Sequence, residues 1–136
     1  MPFLLDTCTL SEGVRGAPNP GVEEWIALTA DADRYASVIS LGEIEYGILR
    51  LPSGQKRQFL VNWYQTKLRP WLATRIVAFD EREASMWAAL RAEYLNAKNN
   101  DAQIAATALV NGMVLVTRNV KDFAFTGLSV FNPWRR

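Results

Sequence analysis

Five oxygen-bearing side chains fall where strands should end or helices begin: Asp6, Glu43, Asp101, Asn119 and Asp122. Asp6 closes the apolar run Phe3-Leu4-Leu5. Glu43 sits in the first turn of the helix expected after the second strand, and Asp101 opens the helix before Met113-Val114-Leu115-Val116-Thr117. Asn119 and Asp122 follow that run directly, in Thr117-Arg118-Asn119-Val120-Lys121-Asp122-Phe123. Carboxylates packed together without a cation repel and raise one another's pKa. Mg2+ or Mn2+ removes that cost, prefers oxygen ligands and keeps waters for substrate phosphates to displace. Two such ions about 4 Å apart can activate a water and stabilise the leaving oxygen of a phosphodiester. The chain has no histidine, which excludes His-based zinc sites, Ser-His-Asp triads and two-histidine phosphodiesterases. A carboxylate-based phosphatase would need an acid two residues after its nucleophilic Asp, and Asp6-Thr7-Cys8 lacks it.

Each residue also has a purely structural reading. Asp6 could cap the helix that follows it, as could Thr7. Glu43 stands three residues after Ser40, the spacing of a capping box. Asp101 could cap its helix, in competition with Asn99 and Asn100. Asn119 and Asp122 are common turn formers. Convergence of all five on one sheet edge favours one site over five separate coincidences.

The elements that must position them alternate from end to end. Strands are expected at residues 3–5, 35–39, 75–79 and 113–117, with a final edge strand at 128–131. Helices are expected at residues 7–15, 22–30 and 40–50. A longer helix carries Phe59, Leu60, Trp63, Tyr64 and Leu68 on one stripe, until Pro70 ends or kinks it. Asp80 and Glu83 make a capping box for a helix with Ala84, Trp87, Leu90, Tyr94 and Leu95 inward. The joint Ala97-Lys98-Asn99-Asn100 leads to a helix at 101–111, closed by Gly112. This order predicts an α/β fold with a mainly parallel sheet, in which ligands bind beyond the carboxyl ends of the strands.

At 136 residues, the expectation is a single domain, 1–136, large enough to fold without disulfide or structural metal. With 49% apolar and 21% charged residues, disorder is excluded. The lone cysteine, Cys8, fits a reducing cytoplasm. No signal peptide or run of the ~20 apolar residues that span a bilayer is present, so a cytoplasmic protein with no membrane contact is expected. The net charge of +1 gives no bulk attraction to a polyanion, yet acids that hold metals would offset a basic binding surface.

The segments Leu4-Leu5-Asp6-Thr7, Ser37 to Gly47 around Glu43, Asp101 to Ala108 and Thr117 to Phe123 resemble, in order, the motifs of PIN-domain proteins. The ending Val130-Phe131-Asn132-Pro133-Trp134 resembles the VapC/FitB branch. The resemblance implies a three-layer α/β/α domain and the toxin component of a type II toxin–antitoxin system. It implies a Mg2+- or Mn2+-dependent endoribonuclease acting on single-stranded or looped RNA, such as a tRNA or rRNA loop. The implied metal-binding acids are Asp6, Glu43 and Asp101, with Asn119 or Asp122 completing the site and Thr7 and Thr117 as hydroxyl positions beside it. The implied partners are a cognate antitoxin, a second copy of the chain, and operator DNA only through the antitoxin.

Three departures stand against that pattern. Asn119 occupies a position where many relatives have Asp, and Cys8 one where Asn is common. The joint before Asp101 is several residues shorter than the family pattern, so it is either tight or lacks a mobile loop. The first two give weight to a rival reading, a non-catalytic PIN-like module that represses transcription with a DNA-binding antitoxin.

Other features carry paired readings. Arg118 could steady a substrate phosphate or be a surface charge. Gln103, Ala105, Ala106 and Ala108 permit close approach of a partner or simply pack a helix on a sheet. Trp63, Tyr64 and Trp71, interleaved with Lys56, Arg57, Lys67 and Arg69, could face RNA or form core. The tail Trp134-Arg135-Arg136 could meet a phosphate backbone or the antitoxin, or fray.

Overall fold

Leu4 and Leu5 are adjacent in sequence, wholly buried, and packed in different cores. That is the two-residue period of a strand covered on both faces. The structure is a computed structural model describing residues 1–136. Strand β1 (Phe3–Leu5) lies at the centre of a five-stranded sheet with β2 (Arg34–Ser37), β3 (Ile76–Val77), β4 (Val114–Val116) and β5 (Val130–Phe131). The order is β3-β2-β1-β4-β5 and every pairing is parallel, with Leu4 opposite both Tyr35 and Leu115.

One face is covered by α6 (Glu81–Glu93) and α7 (Asn99–Val110), which bring Leu90, Ile104 and the buried Ala102, Ala105, Ala106 and Ala108 against Leu4 and Leu115. The small side chains of α7 are therefore packing residues. On the other face, α1 (Thr7–Glu12), α3 (Val38–Leu49) and a long segment of α4 (Gln55–Trp63), a π turn (Tyr64–Leu68) and α5 (Arg69–Leu72) enclose Leu5 and Ala36. The short α2 (Pro20–Leu28) seats Trp25 against Phe3 and Phe131. Three layers result, α/β/α.

Several boundaries differ from the sequence reading. Residues 38 and 39 were expected to extend β2, but the Ser37 hydroxyl accepts the Ile39 N–H at 3.0 Å and caps α3. A cap bond at the strand end overrides the strand preference of Val and Ile. Pro70 does not end its helix. Pro lacks an N–H and crowds the carbonyl four residues back, and the π turn just before it widens the backbone so that helix continues to Leu72. Phe59 and Leu95 are 61% and 79% exposed, so the inward stripes are Leu60, Tyr64, Leu68 and Leu72, and Trp87 and Leu90. Tyr64 is buried in the core, and Trp63 and Trp71 pack against it while half-buried. The capping box of α6 is present as expected, and Gly112, at φ +63°, closes α7 in the left-handed region.

The chain runs without interruption from α6 into α7. Residues 94–98 form the joint, the Ala97 N–H bonds the Tyr94 carbonyl at 3.0 Å, and α7 begins at Asn99 rather than Asp101. No loop is missing; the connection is short. No helix is long and apolar enough to cross a membrane.

Candidate active site

The carboxyl ends of β1, β2 and β4 lie side by side, so the residues after them meet at one edge. Asp6 follows β1 directly and is 5% exposed. Its Oδ1 accepts the Thr7 N–H at 2.8 Å as the N-cap of α1, and its Oδ2 accepts the Thr117 hydroxyl at 2.7 Å. Asp6 is therefore a helix cap through one oxygen, while the other faces Thr117 across the sheet edge. Thr117, wholly buried at the end of β4, also accepts the Asn119 N–H at 3.0 Å.

Glu43 is the sixth residue of α3 and half-buried, well past the first turn. The capping-box reading with Ser40 fails because the helix starts a turn earlier, at Ser37. Ser40 caps nothing, and its hydroxyl is buried with no hydrogen-bond partner. The Glu43 carboxylate is held from two other elements: Thr7 Oγ1 donates to Oε1 at 2.7 Å, and Asn100 Nδ2 donates to Oε2 at 3.0 Å. Asn100, a possible cap on sequence grounds, thus joins the candidate site. Its partner is 57 positions away, and nothing local signals it.

Asp101 is the third residue of α7, half-buried, in a cleft of about 580 Å³ that it shares with Tyr94, Lys98, Lys121 and Asp122. Burial first, then the charges of Asp122, Asp6 and Glu43, push its carboxyl up to about 6, against the pull of Lys98. Burial also raises Asp6, aided by Glu43 and opposed by its hydrogen bonds. Asp122 therefore stands with the cluster. Asn119 is exposed, outside that cleft, and its side chain does not cap the short 3-10 turn Val120–Phe123 that it precedes. Arg118 is exposed and lines a different groove.

Cys8 lies 3.5 Å from both Asp6 Oδ2 and Thr117 Oγ1. Burial and the Asp6 charge push its thiol up, so it remains a neutral packing group at physiological pH.

Four acids, two hydroxyls and an amide form an oxygen donor set that suits Mg2+ or Mn2+ rather than a soft metal. No three acids close on one point as a finished cage. An open arrangement agrees with the habit of Mg2+, which takes one or two carboxylates and fills its remaining positions with water and substrate phosphate. The fit is chemical: repulsion among these carboxylates is the feature a hard cation would relieve.

Comparison with known proteins places this architecture. The PIN domain family matches residues 3–125. The chain is 38% identical to the plasmid stability protein StbB of Pseudomonas syringae pv. tomato, over 97% of this chain and 98% of that protein. It is 32% identical to the VapC ribonuclease Y4jK of Sinorhizobium fredii, over 97% of each. The solved structure of FitAB bound to IR36 DNA superposes with a TM-score of 0.89 at 33% identity, covering 98% of this chain and 96% of that one. The order of the strands, the acids at their ends and these matches agree: the chain belongs to the PIN domain family.

Proposed function

We propose that this protein is the toxin of a toxin–antitoxin pair, an endoribonuclease that uses Mg2+ or Mn2+ to cleave unpaired RNA. The observation that carries this reading is the clustering of Asp6, Glu43, Asp101 and Asp122 at one sheet edge, with Thr7, Thr117 and Asn100 bonded to two of their carboxylates. A relative of like length is named a ribonuclease, and FitAB is a complex bound to DNA. Both support extending the activity and a DNA-binding partner to this chain.

In this mechanism Asp6, Glu43 and Asp101 would hold the cation. When bound, it supplies positive charge to the phosphodiester and makes a water nucleophilic at neutral pH. Thr117 and Thr7 hold the Asp6 and Glu43 carboxylates in one orientation, so little reorganisation remains for the reaction. Asp122, which shares the Asp101 cleft, would orient a water rather than hold the metal directly. Arg118 meets a phosphate as RNA crosses the edge. Tyr46 and Leu49 on α3 and Phe59 on α4 are 61–64% exposed, apolar surface that supports pairing with a second copy.

The test is direct. Purified protein, free of any partner, is incubated with an unpaired RNA and Mn2+, with chelator and Asp6→Asn as controls. Cleavage that disappears in both controls is expected. An intact RNA under all conditions favours the rival, a partner module without catalysis.

A further inference from the structure

The C-terminal tail does not fray. Asn19, the N-cap of α2, accepts the Arg135 N–H at 3.0 Å and donates to the Arg135 carbonyl at 2.7 Å. Asn19 is itself fixed from below, because its N–H donates at 2.7 Å to Oε2 of Glu12, an acid only 4% exposed. The tail then runs so close over Gly21 that a Cβ there would lie 2.3 Å from the Pro133 carbonyl oxygen. Arg135 also pairs with Glu24.

The tail so held forms one wall of a groove of about 730 Å³. Arg15, Arg118, Arg135 and Arg136 line it with Trp134, and Glu12 contributes its only acidic side chain. Four of the fifteen Lys and Arg residues of a chain whose net charge is only +1 thus face one groove. Arg15 and Arg135 are paired to Glu12 and Glu24, whereas Arg118 and Arg136 make no ion pair. The segment after β4 joins this groove to the carboxylates: Arg118 faces the groove, while Lys121 and Asp122, three and four residues on, face the cleft of Asp101.

We infer that this arginine groove is a binding track for the sugar–phosphate backbone of unpaired RNA, carrying the strand away from the carboxylate edge. The inference rests on the ribonuclease reading and adds a location and a direction to it. Arginine forks pair with phosphate oxygens two at a time, and Trp134 offers a face on which an unpaired base stacks. The track explains how a protein with almost no net charge attracts a polyanion: the positive charge is gathered on one side of a negative cluster. The buried Glu12 is a positioning residue, holding Asn19 and through it the tail.

The experiment measures binding rather than cleavage. Metal-free protein in chelator is titrated into an unpaired 2′-O-methyl oligoribonucleotide of about 12 nucleotides, and the affinity is followed against salt. Each phosphate contact on a single strand contributes about 0.7 to the slope of log affinity against log salt. Arg118→Ala/Arg136→Ala should weaken binding at low salt and reduce that slope by about 1.4, with the melting temperature unchanged. Arg118→Lys/Arg136→Lys should restore most of the slope, since charge sets it. Unchanged affinity and slope in the alanine pair overturn the track. So does unchanged RNA binding together with weaker capture of the antitoxin, which would make the groove a protein surface. An RNA affinity that depends on the arginines in a protein that cuts nothing upholds the track and removes the ribonuclease activity alone.

Discussion

Asn100 Nδ2 donates to Glu43 Oε2 at 3.0 Å, tying the first turn of α7 to the middle of α3. With Thr7 on the other oxygen, the carboxylate is fixed from two elements. Groups that orient a metal-binding carboxylate typically contribute 10–100-fold in affinity or activity. Asn100→Ala should therefore lower Mn2+ affinity and RNA cleavage by about that factor while the fold survives, because Asn100 is exposed. Mn2+ titration calorimetry with parallel cleavage assays checks this; full metal affinity in the variant would assign the bond to structure alone.

Asp6→Asn and Asp101→Asn should each abolish cleavage. In metal-free protein neither should destabilise through lost charge, because burial and like charges already oppose ionisation of both groups. For Asp101→Asn a melting temperature equal to or above wild type is expected. Asp6→Asn keeps an acceptor for Thr117 but is held more tightly, so a smaller gain is expected there. Cleavage in Mn2+ at near wild-type rate by the Asp6 variant would remove the assignment.

The Ser40 hydroxyl is buried and unpartnered, and an unmet buried polar group costs about 1–3 kcal/mol. Ser40→Ala should leave stability unchanged or raise it by about 1 kcal/mol, with activity retained. Denaturant melts decide this. A loss of stability beyond error would show that the hydroxyl finds a partner in solution.

Glu83 accepts the Asp80 N–H at 2.9 Å and the Asn111 side-chain amide at 3.1 Å. The bond from Asp80 is the main cause that holds its carboxyl below the ordinary glutamate value. An acid lowered on folding stabilises the native state fully above its unfolded value and loses that contribution as pH falls through the folded one. Glu83→Gln should flatten this part of the acid limb of the stability profile, below about pH 4.3. At neutral pH it should cost about 1 kcal/mol, the scale of a helix cap. Melts from pH 3 to 7 compare the two proteins, and parallel acid limbs would reject the assignment.

Gly21→Ala should dislodge the tail, because the new Cβ meets backbone at Pro133 rather than a yielding side chain. A loss of about 1–3 kcal/mol is expected, with faster carboxypeptidase trimming of the last residues. A variant as stable and as resistant as wild type would mean that the tail relaxes without penalty.

Much of the site was legible because parallel α/β chains put ligand-binding residues after strands, and Asp6, Asp101 and Asp122 sit after or beside runs that could only be strands or their helices. The capping box at Asp80 was equally legible, being wholly local. Glu43 joins the acidic edge, but its place in the helix differs from the expected first turn: Ser37 and Ser40 offer the same hydroxyl to a helix start, and only the length of β2 chooses between them. Asn100 was hidden because its bond crosses from α7 to α3. The fourth acid was left open between Asn119 and Asp122, and the 3-10 turn at Val120–Phe123 decides which of them faces Asp101. The π turn before Pro70 answers a backbone conflict that composition does not report.

The position of the central strand has a consequence for when the carboxylate edge can be completed as the chain is made. β1 precedes its neighbour β4 by more than a hundred residues, and Asp6 takes its Oδ2 bond from Thr117 at a separation of 111. Pairings so distant form late, after the intervening chain has been released. Until the last fifth of the sequence has emerged, the chain lacks the Thr117 hydroxyl that holds the Asp6 carboxylate and the strand that pairs with β1 on that side. On the ribonuclease reading, a chain that stops before Val114 should therefore cut no RNA, since it lacks both.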